Sequence, residues 1–136
     1  MIRSVVAILA GMGLVSILVD LLEFTLINAV TGGALTDMAG YLAVRNRPVM
    51  LGAQVGYNSI AAVLGGYLTA RIAGTREMLH GGVAALAKTA ALVWGFTAGD
   101  YADFTPAWMR IALVLLTGPA MLAGASIRAR AARSAT

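Results

Sequence analysis

Two carboxylates three residues apart, Asp20 and Glu23, stand inside a run of apolar residues from Val5 to Val30. Gln54 and Asn58 interrupt a second apolar run, Lys88 a third, and Arg110 lies near the start of a fourth. In hydrocarbon such side chains do two kinds of chemistry. Opposite charges pair and share hydrogen bonds, which offsets an insertion cost of at least about 2.5–3.5 kcal/mol per ionised group. Otherwise one member changes its protonation state and serves a proton or ion relay. Catalysis has less to stand on. The chain has no H-E-x-x-H, no Ser-His-Asp set and no phosphate loop. With no cysteine, disulfides, thiolate metal sites and haem thioethers are excluded, and the one histidine, His80, makes a dedicated zinc site improbable. The expectation is a non-enzymatic protein with no cofactor and no metal.

The elements that must position these groups follow from the apolar rhythm. Four stretches, Val5–Val30, Val49–Ile72, Gly81–Ala98 and Ala107–Ile127, approach the roughly 20 residues that a helix needs to cross a bilayer. Backbone satisfaction in lipid then favours helices. The 136 residues are 60% hydrophobic with mean hydropathy +0.83, beyond what a water-soluble domain of this size normally carries. The fold expected is all-α: a polytopic four-transmembrane-helix bundle with short loops, residues 1–136 forming one domain. Asp20 and Glu23 break the first apolar run and no clear cleavage motif follows, so that span reads as a retained helix rather than a signal peptide. Within the first connection Leu35, Met38, Ala39 and Leu42 recur at helical spacing, which predicts a short interfacial helix. Pro48 suits the first turn of the second span, Gly74-Thr75 a tight turn, and Thr105-Pro106 an N-cap with a first-turn proline for the fourth span. Pro119 should weaken that span by removing the bond to the Leu115 carbonyl.

Helical periodicity assigns each span a face that combines polar and small residues. These faces are Gly13, Ser16, Asp20, Glu23 and Ile27; Gln54, Asn58, Ala62, Gly65 and Thr69; Gly81, Ala84, Lys88, Gly95 and Gly99; and Arg110, Val114, Thr117, Met121 and Gly124. They are expected to meet at the bundle centre. At about 1.5 Å per residue, Asp20, Asn58 and Lys88 share one depth near the midplane, and Glu23 and Gln54 lie closer to the outer end. The interior expected is an Asp20–Lys88 pair beside Asn58, with a second layer of Glu23, Gln54 and Arg110 above it. Gly52-x-x-x-Gly56 and Gly95-x-x-x-Gly99 are candidates for close helix packing, chiefly within the monomer, the first also against a second protomer.

The net charge of +4 does not signal nucleic acid, because the basic residues are few and sit at span ends. Arg3, Arg71, Arg76, Arg128, Arg130 and Arg133 outweigh Arg45, Arg47 and Arg110, which places both termini on the cytoplasmic side. Arg71, Arg128, Arg130 and Arg133 are expected at lipid headgroups.

The segment Gly65-Gly66-Tyr67-Leu68-Thr69-Ala70-Arg71, followed by His80-Gly81-Gly82, resembles a pattern in small, uncharacterised bacterial four-helix membrane proteins. The resemblance covers the hairpin of the second and third spans and implies a bacterial inner-membrane location without an established activity. The small multidrug exporters are similar in helix number and in an acidic residue on the first helix. Their characteristic motif does not align around Asp20 or Glu23. The leading expectation is a structural or accessory subunit or a homo-oligomer, partnered by the bilayer and by a second copy or a larger membrane complex. A small proton-coupled transporter or ion-conducting oligomer using Asp20, Glu23 and Lys88 is the alternative.

Overall fold

The computed structural model describes residues 2–33, 37–99 and 101–134. The described chain is all-helical: α1 (Ile2–Thr31), α2 (Met38–Arg45), α3 (Pro48–Ala73), α4 (Glu77–Thr97), α5 (Tyr101–Phe104) and α6 (Ala107–Ser134). The long helices alternate in direction. At one end Arg3 on α1 donates to the Ile72 carbonyl of α3, and His80 on α4 meets Ser4. The opposite end carries α2 and α5.

Local chemistry sets the boundaries. Pro48 occupies the first turn of α3, where its missing N–H costs nothing. Gly74 ends α3 in the left-handed region at φ 69°, a conformation glycine adopts without a Cβ penalty. The short helix expected from Met38, Ala39 and Leu42 is α2, with Asp37 accepting from the Gly40 N–H as its N-cap; Leu35 lies outside the described residues. Arg45 closes the last turn of α2, where a cation suits the helix dipole. The Thr105-Pro106 signal is displaced by one residue: α6 begins at Ala107, and the Pro106 carbonyl accepts from Met109 and Arg110. Pro119 lies inside an α6 that continues to Ser134, well past the expected end at Ile127.

Helix packing is decided by glycine and alanine. α3 packs most extensively against α6 and α1, and α6 also packs against α4, whereas α1 and α4 meet sparsely. A Cβ on Gly66 would collide with the Met121 backbone, and one on Gly124 with the Val63 carbonyl. On the other side of α3, a Cβ on Gly65 would stand 2.7 Å from the Gly11 carbonyl oxygen. The core around these crossings contains Val15, Ala61, Ala62, Ala84, Ala85 and Met121. The close-packing role expected of Gly52 and Gly56 is not found: both are exposed, with open space where a Cβ would go. Gly95 is buried in α4, and Gly99 rests against the Gly95 backbone within its own turn.

Three of the helices, α1, α4 and α6, are long and apolar enough to cross a membrane. The remaining long helix, α3, carries Gln54, Tyr57, Asn58 and Ser59 and is the most interior. Helix α1 is turned relative to the face expected for it. Its buried residues are Ala7, Gly11, Val15 and Ile27, while Ser16 and Asp20 are exposed. Gly11 lets α1 approach the Gly65 carbonyl and Thr69 of α3 at backbone distance, so the Ala7–Gly11–Val15 stripe docks on α3 and swings Asp20 outward.

Candidate functional site

The polar cluster lies at the end that carries α2. The Glu23 carboxylate of α1 accepts from three donors on two other helices. Oε1 accepts from the Tyr41 hydroxyl at 2.7 Å and from Arg45 Nε at 2.9 Å, both on α2. Oε2 accepts from the Tyr57 hydroxyl of α3 at 2.8 Å. The Glu23 and Arg45 side chains are only 14% and 16% exposed, so the pair is largely withdrawn from solvent. Arg45 reaches further, from Nη1 to the Phe104 carbonyl of α5 at 3.1 Å, and Asn46 donates to the same oxygen at 3.3 Å. Gln54, 1% exposed, donates to the Arg45 carbonyl at 3.2 Å and so satisfies one of the carbonyls that a helix C-terminus leaves open. Next to the cluster, toward the α2 end, Ile27, Val44 and Met50 pack together with Tyr41 and Leu26 against them.

This arrangement ties α1, α2 and α3 together. Each carboxylate oxygen is occupied by a charged or hydroxyl donor, and charge-assisted bonds of this kind are the stronger class. Burial first, and then the hydrogen bond to Glu23, pushes the Tyr41 phenol well above the ordinary tyrosine range. Tyr41 therefore remains a donor at neutral pH. Among the described residues no group of histidines, cysteines or acids has a metal-binding arrangement.

The second polar feature is a seam between α1 and α4. Lys88 Nζ donates to Ser16 Oγ at 2.7 Å, and Ser16 in turn reaches back to the Met12 carbonyl at 3.4 Å. The expected Asp20–Lys88 pair does not form. The ion pairs among the described residues are Glu23–Arg45 and Glu77–Arg128, and Asp20 stands exposed on α1. Turning of α1 onto its small-residue stripe is the physical reason. Asn58 makes no hydrogen bond to Lys88 among the described residues; it donates to the Gln54 carbonyl of its own helix at 2.8 Å.

The outer layer thus unites Glu23 and Gln54 as expected, but its cation is Arg45 and not Arg110. Arg110 lines a groove between α4 and α6, and its Nε is buried without a hydrogen-bond partner. Sequence reasoning missed Tyr41, Arg45 and Tyr57. The signal available was their position: Tyr41 and Arg45 are four residues apart on the short helix α2, and Tyr57 lies one turn beyond Gln54. Of the arginines expected at headgroups, Arg71 and Arg130 are exposed, Arg128 pairs with Glu77 at 3.6 Å, and Arg133 bonds the Ala129 carbonyl. Comparison of the chain with protein-family models, curated proteins and solved structures returns no match.

Proposed function

We propose that this chain is a non-enzymatic integral membrane protein of four spans, in a bacterial inner membrane with both termini cytoplasmic, that works as a self-associating subunit. α3 is the fourth span. Its polar side chains are tolerable at membrane depth because the other three long helices shield it and because Gln54 and Tyr57 bond within the protein. The arginine excess at the termini and the α3–α4 turn supports the orientation. The Glu23 network acts as a lock that seats α2 across the outer end.

The observation that carries the subunit reading is the exposed Asp20 beside the half-buried Lys88. Asp20 is about 16 Å from the Thr31 end of α1, within hydrocarbon. A lipid-facing carboxylate at that depth is costly, and a second copy presenting its own Lys88 would neutralise it across a two-fold contact. The absence of native cysteine gives a direct test. Ile17→Cys on the exposed side of α1 should cross-link to its counterpart in oxidised membranes, and Leu116→Cys on α6 should not. Asp20→Leu should abolish the Ile17→Cys cross-link. Equal cross-linking at both positions, or none at either, refutes the assignment.

The exposed, unpaired state of Asp20 also favours a second reading, in which Asp20, Glu23 and Lys88 serve proton-coupled transport. That reading requires Asp20-dependent flux in liposomes under an imposed pH gradient.

A further inference from the structure

A groove of about 440 Å³ runs between α4 and α6 at the end that carries α2 and α5. Val93, Phe96 and Thr97 form one wall, and Arg110, Ile111 and Val114 the other. The lining is apolar apart from Thr97 and Arg110, and the Thr97 hydroxyl is already engaged with the Val93 carbonyl of its own helix at 2.8 Å. Arg110 is different. A guanidinium carries its charge at any physiological pH, and this one has no ion pair among the described residues. Its Nε is sealed from solvent with no acceptor, which leaves part of the fork desolvated and unsatisfied. The charge of Arg110 at the mouth of this apolar trough suits an anionic acceptor.

Depth identifies the source of the anion. Arg110 is one turn inside α6, about 4.5 Å from Ala107. Trp94 and Trp108, 68% and 54% exposed, lie at the corresponding ends of α4 and α6. Exposed tryptophans mark the level of lipid headgroups. The trough extends from that level toward the bilayer centre along Ile111, Val114 and Val93.

We propose that this groove binds an anionic phospholipid, with the headgroup phosphate accepting hydrogen bonds from the Arg110 guanidinium and one acyl chain lying between α4 and α6. The planar fork of arginine matches phosphate oxygens, and the aliphatic walls match the chain. The site rests on membrane insertion of α4 and α6 but is independent of self-association through α1.

The test uses Trp94 and Trp108 as reporters. The purified protein is placed in phosphatidylcholine vesicles that contain a minor fraction of brominated phosphatidylglycerol, and in matched vesicles in which the brominated lipid is phosphatidylcholine. Preferential quenching by the anionic lipid is expected, by about fivefold in relative binding. Arg110→Gln should bring the ratio to about one while leaving quenching by brominated phosphatidylcholine unchanged. Val114→Phe, which fills the trough and keeps the charge, should also lower the ratio. Arg47→Gln at the same end should leave it intact. Equal quenching by the two lipids in the unmodified protein, or an Arg110→Gln ratio like that of the unmodified protein, overturns the proposal. So does an Arg47→Gln loss as large as that of Arg110→Gln, because the effect would then be general surface charge. Failure of brominated phosphatidylcholine to quench at all would overturn membrane insertion itself, a different failure from loss of lipid preference.

Discussion

Replacing Glu23 by alanine removes the acceptor of three donors at once, and the geometry ranks what each donor loses. Arg45 retains the Phe104 carbonyl at 3.1 Å and a narrow path to solvent. Its share therefore falls at the low end of the range for breaking a buried pair, about 3 kcal/mol. Tyr57 is buried among the helices and has no second acceptor, so its orphaned hydroxyl adds about 1 kcal/mol. Tyr41 is half-buried at the outer surface and can rehydrate. The expected destabilisation is about 4 kcal/mol, several times the cost of removing a surface ion pair. Unfolding with sodium dodecyl sulfate in mixed micelles, followed by tryptophan fluorescence, reads this directly. Glu23→Gln keeps one carbonyl oxygen and should cost about half as much. In a double-mutant cycle with Arg45→Ala, a coupling of about 2 kcal/mol is expected, because the second removal relieves the cation stranded by the first. A Glu23→Ala cost below about 1 kcal/mol, or strict additivity with Arg45→Ala, would refute the claim that this network secures α2.

Two further outcomes follow from packing and from titration. Gly66→Ala should destabilise by about 3 kcal/mol, because its Cβ meets Met121 backbone that cannot yield. Gly52→Ala, with open space around its Cβ, should be neutral or stabilising by up to about 1 kcal/mol through helix propensity, and the same unfolding assay compares the two. The raised Tyr41 phenol makes stability fall in alkali. An unfolded tyrosine loses its proton near pH 10, whereas burial and Glu23 hold the proton in the fold, so the folded state binds more protons above that pH. Thermal unfolding midpoints should therefore drop from pH 10 upward, and Tyr41→Phe should flatten that slope.

The helices were largely legible because hydrophobic length and breaker chemistry act locally. The short helix α2 could be read from Met38, Ala39 and Leu42, and the first turn of α3 from Pro48. The polar and small faces of α3 and α4 were legible as well: Gln54, Ala62, Gly65, Thr69, Gly81 and Ala84 are all buried. The face of α1 was not, because two stripes on that helix compete. One joins Gly13, Ser16 and Asp20, and the other joins Ala7, Gly11 and Val15. Periodicity alone ranks them equally. The contest is decided by whether Gly65 and Thr69 on α3 present a matching hollow, which is a non-local fact. The same rotation keeps Asp20 out of salt-bridge contact with Lys88, although the two remain neighbours. Arg45 escaped notice for a related reason: as a residue of a connecting segment it looked like an orientation signal, yet α2 folds back and delivers it to Glu23.

The two acidic residues of α1 end in opposite circumstances, and that contrast weighs on mechanism. Glu23 is bound on Oε1 by groups of α2 and on Oε2 by a hydroxyl of α3, so any cycle that moves its carboxylate out of place must break bonds on two helices together. Such a step would cost several kcal/mol before any ion had moved. Asp20, three residues earlier, has no such bonds and faces outward, where a change of charge state or of neighbour disturbs no internal contact. A residue held as Glu23 is held fits a fixed joint; a residue placed as Asp20 fits an encounter with something outside the monomer. Lys88 stands between these roles, engaged with Ser16 yet close enough to the seam to meet an incoming carboxylate. In the proposed subunit the α1–α4 seam is the face that meets a second copy, and the Glu23 network is the joint that ties α1 to α2 and α3 behind it.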